Sequence, residues 1–555
     1  MNPDRAPDQG MGGKVWLFLA LLAFAAFIQG FATIPPFDRD ESRYVQASHQ
    51  MLETGDFIDI RFQDEARHKK PVGIYWMQAA TVHLLTGGDD TGPVWMYRLP
   101  SLIGAIAAVL LTAWAGLALF GPGAGTIAAM MMATCVILGV EARMAKTDAV
   151  QLACILGCFG VLARAYLRPD RALPLSTALL FWVALGIGVL VKGVILMVVG
   201  TAILALWLID REVWWLRRLR PTLGLPLFLA IILPWLIAIT IATKGAFFGT
   251  AVGHEFLGKA ATGQENHAGP PGYFLATFWL SFWPWAPVVF LSLPLIWARR
   301  HEASVRFCLA WIIPTWVIHE AVVTKLPHYT LPVLPALALL AAAMVINNRR
   351  PVLSRGWVWA ATAMTVIVSV AFAGAIIGFP VQLMGQVQAG SVLAALAILA
   401  VAGLVVWLIR SARGDAAAYV VLGTVFAYIG IFAMALPNLT PMWLSPQVKQ
   451  VFDENKPCPG SILAAGGYNE PSMVFLVGTQ TRLGGGERVA AHLLSDPACA
   501  IGMVTTGREE EAFHAALRAA GREPLLVSEL SGFNYSRGKK AVLHFYTLSN
   551  RVIAP

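Results

Sequence analysis

Long apolar runs divided by short charged loops leave this chain one way to satisfy its backbone. Val15 to Ile34 contains no charged residue, and at about 1.5 Å per residue a helix of that length crosses a hydrocarbon core of about 30 Å. Similar runs occupy 98–120, 123–140, 148–166, 174–191, 193–209, 222–243, 274–297, 307–324, 329–346, 357–379, 390–409 and 416–436. Lipid offers the peptide group no hydrogen-bond partner, so each run predicts a helix. The expectation is a polytopic α-helical membrane protein with about 13 transmembrane helices. Charged residues are only 13% of the chain, about half the share in soluble domains, which excludes a soluble enzyme. The first run is longer than a signal-peptide core of roughly 7–15 residues and no cleavage site follows it, so it reads as an uncleaved anchor.

Lys and Arg collect on short cytoplasmic loops, which gives an independent check of topology. With the N-terminus inside, the alternate connections hold the basic clusters Arg217, Arg218 and Arg220, then Arg299 and Arg300, then Arg349 and Arg350. The short outer loops hold only Arg143, Lys146, Lys192, Lys244, Lys259 and Lys325. The net charge of +9 is therefore placed by membrane insertion and does not imply nucleic acid. Three larger segments, 35–97, 244–273 and 437–555, then share the extracytoplasmic side. Residues 1–436 read as a transmembrane domain. Within it, Glu41 to Leu52 and Pro71 to Leu85 show the mixed helical spacing of helices lying in the interface. Residues 437–555 read as a small extracytoplasmic α/β domain, with strands at 461–465, 500–505 and 541–548 and a helix at 509–520. Cys458 and Cys499 are the two cysteines of that domain and, in an oxidising compartment, form a candidate disulfide. Cys135, Cys154, Cys158 and Cys308 lie in or beside apolar spans as ordinary buried thiols.

Ionisable residues hug the outer ends of the spans: Asp38, Asp40, Glu41 and Arg43, then Lys69 and Lys70, Arg143, Lys146 and Asp148, Lys192 and Lys325. A transporter would keep some near mid-membrane. Charges at the surface suit chemistry on a lipid-borne substrate, whose phosphate needs cations while a carboxylate takes a proton from an attacking group. Phe37 to Tyr44 carries the densest cluster. Asp40 there suits helix capping, with Glu41 in the first turn, as well as it suits catalysis.

Asp40-Glu-Ser-Arg-Tyr44, Met51-Leu-Glu-Thr-Gly-Asp56, and Lys70-Pro71 followed by Tyr75-Trp76 resemble the N-terminal signature of the bacterial lipid A aminoarabinose transferases and the wider protein mannosyltransferase-like group. Thr147-Asp148, Lys192-Gly193, His267 to Phe274 and Lys325 to Pro332 are similar as well. The resemblance covers roughly 35–345 in residues and the remainder in architecture. It implies a GT-C type glycosyltransferase of the bacterial inner membrane, N-terminus cytoplasmic, active site and C-terminal domain periplasmic. Such an enzyme takes a sugar from a polyprenyl (undecaprenyl) monophosphate and transfers it with inversion to lipid A, another envelope glycolipid or a protein. The resemblance implies Asp40 as general base and Asp148 as a second carboxylate. It implies Lys70, Arg43 and Lys192 as phosphate-holding cations, Tyr44 and Tyr329 as site walls, and Glu41, His267 and Lys325 as further substrate contacts. On residues alone, Lys192 also reads as a snorkelling lysine and Tyr329 as part of an interfacial aromatic belt.

One departure bears on cofactors. Relatives of the aminoarabinose type commonly carry Glu immediately before the Lys-Pro pair, where this chain has Lys69. Where that Glu helps hold a metal, the change removes a ligand, so no cofactor or metal site is expected. An added cation there suits a more acidic donor or acceptor. His254, Glu255, Glu265 and His267 share one outer loop, but their spacing matches no strong metal pattern. The glycines at 466–467 and 484–486 fit neither common phosphate-loop pattern and read as turns. A lipid or sugar transporter and a non-catalytic assembly protein are the competing readings, and the second would tolerate neutralising Asp40.

Overall fold

A computed structural model of the chain describes residues 10–88, 91–168, 172–250, 269–347, 354–411 and 416–552. The protein is a multi-pass membrane protein with a small C-terminal sheet domain. Seven of its described helices are long and apolar enough to cross a membrane, and four shorter apolar helices accompany them. Every apolar run in the sequence folds as helix, though several are interrupted. The first stops at Phe27 and turns through Gly30, whose φ is +70° and where a Cβ would meet the Phe432 carbonyl. The run 123–140 splits into Pro122–Ala133 and Val136–Glu141, and the run 274–297 splits around Pro284 into Tyr273–Ser281 and Ala286–Ala298. The two breaks serve each other. Val136 N–H donates to the Trp283 carbonyl at 3.2 Å, and Trp285 Nε1 donates to Thr134 Oγ1 at 2.9 Å, so backbone freed at membrane depth is satisfied inside the protein.

Asp148–Leu167 runs through the middle of the bundle, with 78% of its apolar window buried against 17% for the peripheral Pro221–Ala242. It packs on Val94–Leu119, where Gly104 permits the approach: a Cβ there would come within 2.8 Å of Val150. Outside the spans, Asp40–Thr54 and Gly73–Thr86 form the two expected helices of the segment 35–97, with a short hairpin, β1 (Arg61–Phe62) and β2 (Glu65–Ala66), between them.

The C-terminal sheet has strands β3 (Leu463–Gly466), β4 (Arg482–Gly484), β5 (Ile501–Thr505), β6 (Arg522–Asn534) and β7 (Lys539–Val552) in the order β4-β3-β5-β7-β6. β3, β4 and β5 are parallel, while β7 runs antiparallel to β5 and to β6. Cys458 and Cys499 are joined, with Cα atoms 5.3 Å apart. β4, β6 and the helices Leu444–Asn455, Pro471–Val477 and Gly486–Ser495 of this domain were not among the expected elements.

Candidate active site

Five pieces of chain meet at one end of the bundle: the N-terminus of Asp40–Thr54, the loop after Val136–Glu141, the N-terminus of Asp148–Leu167, the C-terminal end of Leu175–Val191 with Lys192, and the 3-10 turn Pro327–Val333. Their charged side chains form one network. Lys192 Nζ lies 2.7 Å from Asp148 Oδ1, and Lys146 Nζ lies 2.9 Å from Glu141 and 3.8 Å from Asp148. His328 bridges the same two carboxylates, at 3.8 Å from Glu141 and 4.0 Å from Asp148. Tyr329 offers its ring to the Lys192 ammonium, 5.6 Å from the centroid.

Asp40 differs from Asp148 in being exposed. Burial of its surroundings pushes its carboxyl up, but Lys146, His328, Arg67 and Arg43 outweigh this and hold it below the usual range. It is an ionised, accessible carboxylate beside cations. Lys146 in turn keeps its charge against burial because Glu141, Asp148 and Asp40 favour it. Arg67 lies over the Tyr44 ring at 5.2 Å, and Tyr44 packs on Tyr75 at 5.3 Å, so this wall of the site is aromatic and cationic. Lys70 sits half-buried in the turn leading into the Tyr75 helix. Arg43 and Lys192 are likewise half-buried near the carboxylates.

The capping reading of Asp40 fails. The helix begins at Asp40 itself, its cap residue is Arg39, and no side chain caps it. Arg39 has φ +64°, a conformation that costs a non-glycine residue on the order of 1–3 kcal/mol and is held only where neighbours enforce it.

Two expected substrate contacts have structural roles instead. Glu41 is fully buried and paired with Arg98 through two hydrogen bonds of 2.8 and 2.9 Å. It also accepts from the backbone N–H of Phe37 and Ala145. Lys325 is buried and donates to the carbonyls of Gly269 and Pro270, with Glu320 at 3.4 Å. Arg143 caps the end of the first helix through the Ala26 and Gln29 carbonyls. His267 lies outside the described residues. Among those residues, no group of three His, Cys, Asp or Glu is arranged to hold a metal.

Sequence reasoning passed over Arg67, Arg98, Glu141, His328 and Gln151. Arg98 and Glu141 each flank an apolar run, and charge at that depth is itself a signal of a site or a buried pair. Gln151, one turn below Asp148, is buried, and neither amide atom has a partner among the described residues. A separate polar cavity of about 1190 Å³ opens between Glu53, Glu65, Arg482 of β4 and Arg488 of the helix Gly486–Ser495. It lies about 20 Å from Asp40 along the helix axis.

Residues 18–248 match the family described as dolichyl-phosphate-mannose-protein mannosyltransferase. Over nearly its whole length (98%, and 100% of the other chain) the protein superposes on ArnT from Cupriavidus metallidurans bound to undecaprenyl phosphate, with TM-score 0.74 and 18% identity. The chain has a GT-C transferase fold. The apo oligosaccharyltransferase of Archaeoglobus fulgidus shares that fold more distantly, with TM-score 0.53 and 12% identity over 97% of this chain and 74% of that one. In sequence, the undecaprenyl phosphate-alpha-4-amino-4-deoxy-L-arabinose arabinosyl transferase of Enterobacter sp. is 25% identical over 62% of this chain and 61% of its own. The corresponding transferase 1 of Pseudomonas fluorescens is 27% identical over 60% of this chain and 59% of its own. The match thus spans about three-fifths of these relatives' length, and all five pieces of the charged network lie inside the shared GT-C fold.

Proposed function

We propose that this protein is an inverting glycosyltransferase that moves a sugar from an undecaprenyl monophosphate carrier to lipid A or another envelope glycolipid. The observation that carries the reading is the pairing of one exposed, ionised carboxylate, Asp40, with a bank of cations at the end of the bundle. The relatives named for aminoarabinose transfer and the fold shared with an undecaprenyl phosphate-bound protein support it.

In the step itself, the acceptor hydroxyl attacks the anomeric carbon from the face opposite the phosphate. Its proton passes to Asp40 as the new glycosidic bond forms. The carbon–oxygen bond to phosphate breaks with its electron pair left on the phosphate oxygen, and Lys70, Arg43 and Lys192 stabilise that developing charge. A base must be unprotonated before the acceptor arrives. The cations around Asp40 guarantee this, at some loss of basicity. Asp148 holds Lys192 in place at 2.7 Å and orients a sugar hydroxyl. The bundle end bearing this network is the periplasmic one, in an inner-membrane protein with a cytoplasmic N-terminus. The basic loops at the opposite end favour that orientation. The match of residues 18–248 to the protein mannosyltransferases favours a second reading, the same donor chemistry on a protein acceptor.

The test is intact-mass analysis of envelope lipids and glycoproteins from cells lacking the protein, complemented with wild type or Asp40→Asn. One sugar mass lost from a lipid, restored by wild type and not by Asp40→Asn, is the expected result. Restoration by Asp40→Asn would remove the base. A mass change confined to a protein would move the acceptor to the second reading.

A further inference from the structure

The turn that carries Asp40 is not held by the membrane domain alone. Three groups of the C-terminal domain reach it, all from more than 400 residues further along the chain. The Tyr535 hydroxyl oxygen accepts from Asp38 N–H at 2.5 Å, and Arg39 Nη2 donates to the Ser536 carbonyl at 2.5 Å. Ser472 Oγ donates to the Asp38 carboxylate. Tyr535 and Ser536 form the tip of the β6–β7 hairpin, just past Asn534, which is itself fixed by donating to Glu470 at 2.9 Å. Phe37 meets Trp443 edge-on at 5.3 Å, and Trp443 meets Tyr535 at 6.2 Å.

These contacts fall on the three residues before Asp40, including Arg39 with its positive φ. A strained residue keeps its conformation only where its surroundings over-determine it. Inside the bundle, the Phe37 carbonyl accepts from Ser42 N–H and Oγ, Phe37 N–H donates to the Glu41 carboxylate, and Arg43 N–H donates to the Arg39 carbonyl; these anchor the two ends of the turn, while the Asp38 N–H, the Asp38 carboxylate and the Arg39 guanidinium are met by the C-terminal domain. We propose that the hairpin tip and Ser472 form a latch that holds the Asp38–Arg39 turn and so positions Asp40 over the acceptor, making Tyr535 and Ser472 positioning residues of the reaction. The C-terminal domain thereby completes the active site without touching the substrate. The proposal rests on Asp40 being the base. It also says why the domain follows a membrane bundle that already holds the other charged groups: a base misplaced by about 1 Å loses most of its rate.

The experiment uses the full-length protein in detergent, as wild type, Tyr535→Phe, Ser472→Ala, Ser472→Thr and Asp40→Asn. Tyr535→Phe keeps the ring against Trp443 and removes only the acceptor oxygen, so the fold survives. Two quantities are measured: amide hydrogen exchange of the peptide containing 36–43, and transfer from undecaprenyl phosphate-aminoarabinose to lipid A. The latch predicts at least fivefold faster exchange in Tyr535→Phe and Ser472→Ala. It also predicts a kcat about five- to tenfold lower with KM within twofold, and recovery in Ser472→Thr, which keeps the hydroxyl. Unchanged exchange overturns the latch. Faster exchange with wild-type kcat overturns its positioning role. Full activity in Asp40→Asn would instead sink the assignment of the base, and the exchange result would still decide whether the hairpin holds the turn.

Discussion

Asp40 and Glu41 are chain neighbours with opposite fates, and a paired substitution separates them. Successive residues of a helix point about 100° apart, so Asp40 faces the cations and Glu41 faces Val94–Leu119. Glu41→Gln keeps the size of the side chain and removes its charge. Arg98 would then remain as a buried guanidinium without a counter-charge, left with one amide oxygen of the new side chain and the Phe31, Ile34 and Pro35 carbonyls. Both Arg98 and Glu41 are 0% exposed, and breaking a buried pair by neutralising one member costs about 3–5 kcal/mol. Replacing both, as Glu41→Leu with Arg98→Met, removes the stranded charge. It leaves those three carbonyls and the N–H groups of Phe37 and Ala145 without partners, at about 1–3 kcal/mol for each one left unsatisfied, so recovery is partial at best. Unfolding of the purified protein in detergent measures all three variants beside Asp40→Asn. Glu41→Gln should be markedly destabilised and Asp40→Asn should not, while Asp40→Asn alone loses transfer at full stability. A Glu41→Gln protein with wild-type stability and no activity would refute this reasoning and return Glu41 to the substrate.

Burial raises the Asp38 carboxyl to about 7, with Glu470 adding to the effect and Ser472 opposing it. The folded state therefore binds this proton more tightly than the unfolded chain. Its contribution to stability is complete below about pH 4 and is lost as pH rises through 7. Asp38→Asn should flatten that part of the stability–pH curve and make the protein relatively more stable at pH 8, which unfolding at both pH values checks. The Cys458–Cys499 bond closes a loop with a sequence separation of 41, worth about 4 kcal/mol by chain entropy. Replacing both by Ser should lower the unfolding midpoint of the C-terminal domain, and no change would mean the domain is held by its contacts alone. Gln151→Leu removes two buried amide atoms without partners and should stabilise the protein by about 1–3 kcal/mol. If transfer falls at the same time, the amide serves the substrate; a loss of stability would contradict its lack of partners.

Hydropathy along the chain determined the class of this protein and the position of every apolar helix, because an apolar run in lipid has no alternative to a helix. The order Asp40 to Tyr44, Lys70-Pro71 and Asp148 likewise marked where the charged network lies. The break at Pro284 carries its own signal, a proline inside an apolar run, but the break at Thr134 was not legible, since its freed backbone is met by the Trp283 carbonyl from across the bundle. Nor could the sequence separate Asp40 from Glu41, or Lys192 from Lys325. Within each pair the two residues share charge type and local context, and their roles follow from which partner lies across the bundle: the cations Lys146 and Arg67 beside Asp40, Arg98 for Glu41, Asp148 for Lys192, the Gly269 and Pro270 carbonyls for Lys325. The link from Tyr535 and Ser472 to Asp38 is the extreme case. Local sequence sets which elements form, through solvation and periodicity, but contacts between residues hundreds of positions apart exist only once the whole chain has packed, and here they decide how the turn before Asp40 is held.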